Sequence, residues 1–311
     1  MSHIIRLASI NSTNVRFMFE TLARRLAYRA SAALAPSLAV LWAERMFLTP
    51  PRPTHPESAF FDLIDAQCTY VVSKGRHIAT WRWGPSEAPA VVLAHGWGGR
   101  ASQMRAFVMR LAAAGFRVIA YDQPAHGRSE GEVTGLPDFA DALAAVAARH
   151  GGVQAVIAHS LGGAGAAIAI AQGLSVRRTV LISPPSDLLG HSRRFARWFR
   201  IPERVRRAMQ ASVEERYGVR WAELETHRLA PRLDSEALVI HDRDDRVVPF
   251  RQGVALAQAW PGARLLATEG LGHGRILEDE GVSRAAVEFI GGRSRVASPA
   301  APQVPVPAPI Y

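Results

Sequence analysis

Serine, histidine and aspartate can make an acyl-transfer nucleophile without a metal. A serine hydroxyl is a weak nucleophile until a base within hydrogen-bond reach takes its proton, and the base needs an acid to orient it. Three stretches of this 311-residue chain hold these residue types in settings suited to that work. The first is Val153-Gln-Ala-Val-Ile-Ala-His-Ser160-Leu-Gly-Gly163. Its apolar run, Val153 to Ala158, reads as a buried strand, and Ala164 to Gln172 reads as a helix. Ser160 falls on the sharp turn between them, with Ala158 two residues before and Gly162 two after. Small residues are needed there because strand and helix pass close together, and a positive φ is expected at the serine. Such a turn lifts the hydroxyl above the sheet and points the helix N-terminus at charge developing beside it. The second stretch is Ile240-His-Asp-Arg-Asp-Asp-Arg-Val-Val-Pro249, an aspartate-rich loop after an apolar run. The third is Glu269-Gly-Leu-Gly-His-Gly274, a glycine-rich loop after the last apolar run.

Ala158-His-Ser-Leu-Gly162 resembles the nucleophile elbow of α/β-hydrolases, usually written G-x-S-x-G, with Ala for the first Gly. The loop around His273 resembles that family's histidine loop, and the chain order serine, acid, histidine fits. The resemblance implies Ser160 as nucleophile and His273 as base. The family often has a glycine where Asp242 stands, an Asp three residues on, and then a Val-Pro pair; counted that way, Asp245 is the acid. Asp244 is its nearest rival, and Asp187, after the sixth strand, is a substitute used by some relatives. Asp242 and Asp244 otherwise read as short carboxylates that shape their own turn. His95-Gly-Trp-Gly-Gly99 resembles the family's His-Gly loop, which implies an oxyanion hole made by the backbone N–H groups of Trp97 and Leu161. His95 is expected to brace that loop. Tyr121-Asp-Gln-Pro-Ala-His-Gly-Arg-Ser129 resembles a further family segment, which places His126 and Arg128 near the site but outside the chemistry. His159 adjoins the serine, but a residue at that place on the turn normally points away. The five matches run in order over roughly residues 65–291.

The elements that must position these residues alternate along the chain. A hairpin is expected over Thr69 to Ser73 and Ile78 to Trp83, turning at Lys74-Gly75. Buried strands are expected over 90–94, 116–121, 153–158, 178–183 and 237–241, and a further strand over 264–268. Helices are expected over 103–114, 138–149, 164–172, 250–260 and 282–290. This pattern argues an α/β fold: a doubly wound, mostly parallel sheet with an antiparallel start, of the α/β-hydrolase type that the resemblance implies. Between strands six and seven, residues 185–234 have no strand pattern and carry helical stretches at 193–199, 202–215 and 221–229. In the family such an insertion commonly forms a lid. Phe195, Trp198 and Phe199, with Met209 and Trp221, then either line an apolar substrate pocket or form the insertion's own core.

Residues 1–56 read as a helical extension, over Phe17 to Phe47 with a break at Pro36, followed by a proline-rich linker. The body is expected over 57–292 and a disordered proline-rich tail over 293–311. The extension's apolar part is too short and interrupted to span a membrane. It reads as a helix packed on the body; the alternatives are a poor signal peptide or an anchor on an anionic membrane surface. A cytoplasmic location is expected, or a peripheral membrane one through that helix.

The net charge of +10 comes almost wholly from arginine, Lys74 being the only lysine. No basic-aromatic alternation or finger spacing accompanies it, so no nucleic-acid partner is expected. Cys68 is the single cysteine, which excludes an internal disulfide. No metal-ligand spacing is present and no cofactor is expected. A small ester or acyl compound is the expected substrate, cleaved as a carboxylic ester or thioester through an acyl-enzyme. The alternatives are a silent scaffold of the same fold that binds a ligand or partner, or other cofactor-free chemistry on it, such as C–C hydrolysis or haloperoxidation. Haloalkane dehalogenation and epoxide hydrolysis would need a carboxylate at the position of Ser160.

Overall fold

A computed structural model describes residues 35–51 and 66–292. The expected helix before residue 35, most of the linker and the proline-rich tail lie outside these residues. The described chain forms two compact units: one of residues 35–49 and 187–223, the other of 50–51, 66–186 and 224–292.

The larger unit is built on one eight-stranded sheet. It opens with a hairpin, β1 (Gln67–Ser73) and β2 (Arg76–Trp83), whose turn places Lys74 and Gly75 at positive φ. After β3 (Ala90–Ala94) comes the first helix of this unit, Arg105–Ala113, then β4 (Arg117–Tyr121), the helix Leu136–Arg149 and β5 (Ala155–His159). The helix Leu161–Ala171 leads to β6 (Arg178–Ile182). The chain returns from the smaller unit into β7 (Glu236–Asp242), the helix Phe250–Ala259 and β8 (Arg264–Thr268). A single turn at Gly272–Arg275 and the helix Glu280–Ile290 complete it.

The strand order is β1-β2-β4-β3-β5-β6-β7-β8. The first two pairings, β1 with β2 and β2 with β4, are antiparallel, and the rest are parallel. This is the expected doubly wound sheet. Its central strands are continuous apolar runs because both faces are covered by helices. Val91, Leu93, Ile157, Val180 and Leu238 pack on one face with Phe107, Leu111 and Phe289. Their neighbours Val92, Val156 and Val239, which point the other way, are equally inaccessible. Helices 136–149 and 161–171 approach so closely that a Cβ on Gly165 would stand 2.7 Å from that of Phe139.

The smaller unit joins segments far apart in sequence. The helix Pro36–Leu48, with Pro36 at its first turn where no N–H is needed, packs on the helix Glu203–Tyr217. Glu44 is buried there; its carboxylate accepts from Arg216 Nε at 2.6 Å and from the Ser212 hydroxyl. Phe47 stacks on Trp221 at 5.5 Å and meets Phe195 edge-on at 5.1 Å. The helix Leu188–Phe199 starts five residues earlier than its arginine-rich end suggests. Asp187 caps it by accepting the N–H of Gly190 at 2.6 Å. Gly190 disguises the start, yet its missing Cβ is what leaves room for that carboxylate. Among the described residues no helix is long and apolar enough to cross a membrane.

Candidate active site

The sheet reverses its winding beside β3, which lies between β4 and β5. Loops leaving the C-terminal ends of β3 and β5 therefore part in opposite directions and open a crevice. Ser160 follows β5 there, and His95 follows β3.

Ser160 has φ 53° and ψ −127°, a conformation that costs a non-glycine residue about 1–3 kcal/mol. Its surroundings fix it. The Ser160 N–H donates to the Ile182 carbonyl at 2.9 Å, and its own carbonyl accepts from Gly163 at 2.8 Å. A Cβ on Gly96 would stand 2.8 Å from Ser160 Cβ, and one on Gly162 would strike the His95 carbonyl. These two glycines are spaces that the His95 loop and the serine turn fill for each other. The helix that starts at Leu161 begins directly after the serine, so its unpaired first N–H groups face the hydroxyl's end of the sheet.

Three polar side chains from three loops meet in a chain of hydrogen bonds. His273 Nδ1 lies 2.7 Å from Asp245 Oδ2, and His273 Nε2 lies 3.0 Å from Ser160 Oγ. A carboxylate only accepts, so Nδ1 carries the hydrogen and Nε2 is left to accept from the serine hydroxyl. Asp245 is itself fully engaged. Its Oδ1 accepts the N–H groups of Val247 and Val248, both at 2.8 Å. Burial works to raise the Asp245 carboxyl, but the nearby His241 and His273 imidazoles outweigh it and hold the group well below the usual carboxylate range. This arrangement can take a proton from Ser160 onto His273 and stabilise the resulting imidazolium with the carboxylate.

The loop after β3 is braced by two neutral histidines. His95 is inaccessible; its Nε2 accepts the Gln123 N–H at 2.9 Å and its Nδ1 donates to the Gly96 carbonyl at 2.7 Å. His126 Nε2 accepts the Gly98 N–H at 2.9 Å, and its Nδ1 donates to the Pro124 carbonyl. Burial depresses both, His126 to about 4 and His95 well below its ordinary value. The Asp122 carboxylate accepts the N–H groups of Ala101 and Arg128. Trp97 stands between the two braced positions, its ring stacked on Phe139 at 6.4 Å and edge-on to His126 at 5.5 Å.

The other residues singled out from the sequence lie elsewhere. Asp244 does not reach His273; its carboxylate accepts the Gly270 N–H at 2.9 Å. Asp187 is the helix cap described above. Phe195, Trp198 and Phe199 belong to the smaller unit. There Phe195 meets Phe47 and Phe199 at 5.1 and 5.0 Å, and Trp198 is exposed.

Three contacts around the relay were not visible in the sequence. His241, inaccessible in β7, donates from Nε2 to the Val248 carbonyl at 3.0 Å and lies 3.4 Å from Asp245 Oδ2. His159 donates from Nε2 to the backbone carbonyl of His273. Asp242 reaches forward to the loop that carries His273. The signal available for the first two was only a histidine at the end of a buried strand.

The family model described as the alpha/beta hydrolase family matches residues 91–285. The chain is similar to a bifunctional esterase/perhydrolase of Acinetobacter calcoaceticus, at 26% identity over 71% of this chain and 99% of that protein. It is also similar to a non-heme chloroperoxidase of Streptomyces lividans, at 27% identity over 67% of this chain and 93% of that one. Among solved structures, an esterase from Rhodococcus sp. superposes with a TM-score of 0.56 at 24% identity, covering 73% of this chain and 99% of that one.

Proposed function

The chain belongs to the alpha/beta hydrolase family, and we propose that within it this protein is a serine hydrolase that cleaves a carboxylic ester or thioester. The observation that carries the reading is the hydrogen-bonded line from Ser160 Oγ through His273 to Asp245. In the proposed reaction His273 Nε2 takes the Ser160 proton as Oγ attacks the acyl carbon. The tetrahedral oxyanion is held by the N–H groups of Leu161 and Trp97. Leu161 opens its helix, where no preceding turn uses its N–H. In the loop after β3, Gly98 and Gly99 give their N–H groups to His126 and Gly96. Trp97 stands between Gly96 and Gly98 in that loop, and its N–H is the second donor of this proposal. His273 then returns its proton to the leaving alcohol or thiol, and a water activated by the same imidazole releases the acid.

Two of the three similar proteins are named esterases, which supports this reading. The acyl-covering role expected for Phe195, Trp198 and Phe199 is part of the same proposal. The test is covalent: a fluorophosphonate probe is expected to label Ser160 in the wild-type protein and to leave Ser160→Ala unlabelled. Labelling at another residue, or none together with no turnover of nitrophenyl esters, overturns the reading.

A further inference from the structure

One buried carboxylate beside the site has no part in the proposed reaction. Asp242 ends β7, is fully inaccessible and spends both oxygens on the backbone and side chains around it. Oδ1 accepts the Asp244 N–H at 3.0 Å, which shapes its own turn. Oδ2 points the other way, to the segment that carries His273. It accepts the Thr268 hydroxyl at 2.7 Å and the Leu271 N–H at 3.1 Å. Its donors to that side thus fall at Thr268 and Leu271, and Leu271 stands two residues before His273.

The backbone of that segment is shaped for these contacts. Gly270 and Gly272 have φ 76° and 68°, and a Cβ on either would meet nothing within 4 Å. Glycine is therefore there for its conformational freedom and not for close packing. The two left-handed residues turn successive N–H groups inward, Gly270 to Asp244 and Leu271 to Asp242. Burial alone would raise the Asp242 carboxyl, but these donors outweigh it and the group is lowered. Ionised, it binds N–H and O–H donors with charge-assisted strength.

We propose that Asp242 is a positioning residue for His273, fixing the imidazole-bearing loop to the turn that presents Asp245. This rests on the reading of His273 as the base. A tether three residues before Asp245 keeps the base and its orienting acid in one rigid body, since both loops then hang from the end of β7. The need for such a tether is physical. His273 spans 2.7 Å to Asp245 and 3.0 Å to Ser160, and a displacement of about 1 Å can cost roughly 100-fold in rate.

The experiment combines kinetics with a signal that needs no turnover. Asp242→Ala is expected to lower kcat for nitrophenyl acetate by roughly 10- to 100-fold with KM nearly unchanged. In a His273→Ala background, where there is no imidazole to place, the same substitution is expected to lower the residual rate by no more than about twofold. Equal losses in both backgrounds mean a general structural role and overturn the proposal, as does an unchanged kcat. Proton NMR reads the placement directly: the low-field resonance of His273 Nδ1–H, identified by its loss in His273→Ala, is expected to shift or broaden in Asp242→Ala. An unaltered resonance overturns the proposal whether or not the wild-type protein cleaves esters. Absence of wild-type turnover with an altered resonance would count against the hydrolase reading alone. Should Asp242→Ala not fold, Thr268→Val removes one donor and keeps the carboxylate. It is expected to shift the same resonance and lower kcat about threefold to tenfold, and no change in either is the contrary result.

Discussion

His159 Nε2 donates to the backbone carbonyl of His273 across 3.0 Å, and the two rings lie 4.7 Å apart. The residue before the serine thus grips the main chain of the histidine that accepts from the serine. Burial depresses His159 to about 3, and its Nδ1 has no partner, so it works as a neutral donor. His159→Leu is expected to leave the His273 carbonyl without its donor, at a cost of about 1–3 kcal/mol in stability. Nitrophenyl ester turnover is expected to fall with it; urea denaturation and steady-state kinetics check the two effects separately.

The aspartates of the loop after β7 separate by role. Asp245→Asn is expected to lower kcat by about three to four orders of magnitude while the fold survives, because the histidine loses its orienting charge. Asp244→Asn keeps an oxygen to accept the Gly270 N–H and is expected to cost far less. A larger loss from Asp244→Asn would mean that the acid has been assigned one residue late.

Acid is expected to weaken the fold through buried imidazoles. His126 is depressed to about 4 and His159 to about 3, both by burial, against an ordinary value of 6.5. Below pH 6.5 the unfolded chain binds protons on these imidazoles and the folded chain does not, so stability falls as pH falls, until the folded values are reached. Each histidine contributes on the order of 3 kcal/mol across that window. Asp245, depressed in the fold, adds to the loss only as pH approaches and passes below its ordinary value of 3.8. Urea midpoints at pH 7, 6 and 5 should decline, and His126→Gln, which keeps an acceptor for Gly98, should flatten the decline.

Gly253 gives a test of how tightly His241 is held. It lies inside the helix Phe250–Ala259 at an ordinary helical φ, where Ala would normally stabilise by about 1 kcal/mol. A Cβ there would fall on His241 Nδ1, well inside van der Waals contact. Gly253→Ala is therefore expected to destabilise by about 1–3 kcal/mol. In a His241→Ala background the sign should reverse, and thermal midpoints of the four proteins in the cycle decide it.

Trp198→Ala examines the acyl-covering reading. It is expected to weaken kcat/KM for long-chain nitrophenyl esters more than for acetate. Equal losses across chain lengths would assign this exposed side chain no part in substrate choice.

The sheet was legible because its strands are short apolar runs set between helical patterns, and hydrophobic period is a strong local signal. Ser160, Asp245 and His273 could be named because each stands in a short stretch whose turn chemistry is encoded locally. What surrounds them could not be. That Asp242 reaches Leu271, or that His159 reaches His273, depends on loops folding back across many residues, and a carboxylate in a turn looks alike whether it shapes that turn or another. Phe195 shows the same limit from the apolar side. Its spacing with Phe199 marks a helix face, but the ring it meets is Phe47, which no period in the sequence connects to it.

The pairing of Glu44 with Arg216 joins positions 172 residues apart. Closing a loop of that length costs about 4–5 kcal/mol in chain entropy, beyond a constant term, which is more than a half-exposed ion pair returns. The aromatic contacts of Phe47 and the burial of Ala39, Ala43 and Leu48 supply the difference. On a ribosome the helix Pro36–Leu48 emerges long before its partner is made, and Ala39, Ala43 and Leu48, buried in the finished protein, have no surface to rest on meanwhile. The first described helix to be synthesised is thus among the last that can be stably docked, and the nascent chain carries an unsatisfied apolar face through most of its production.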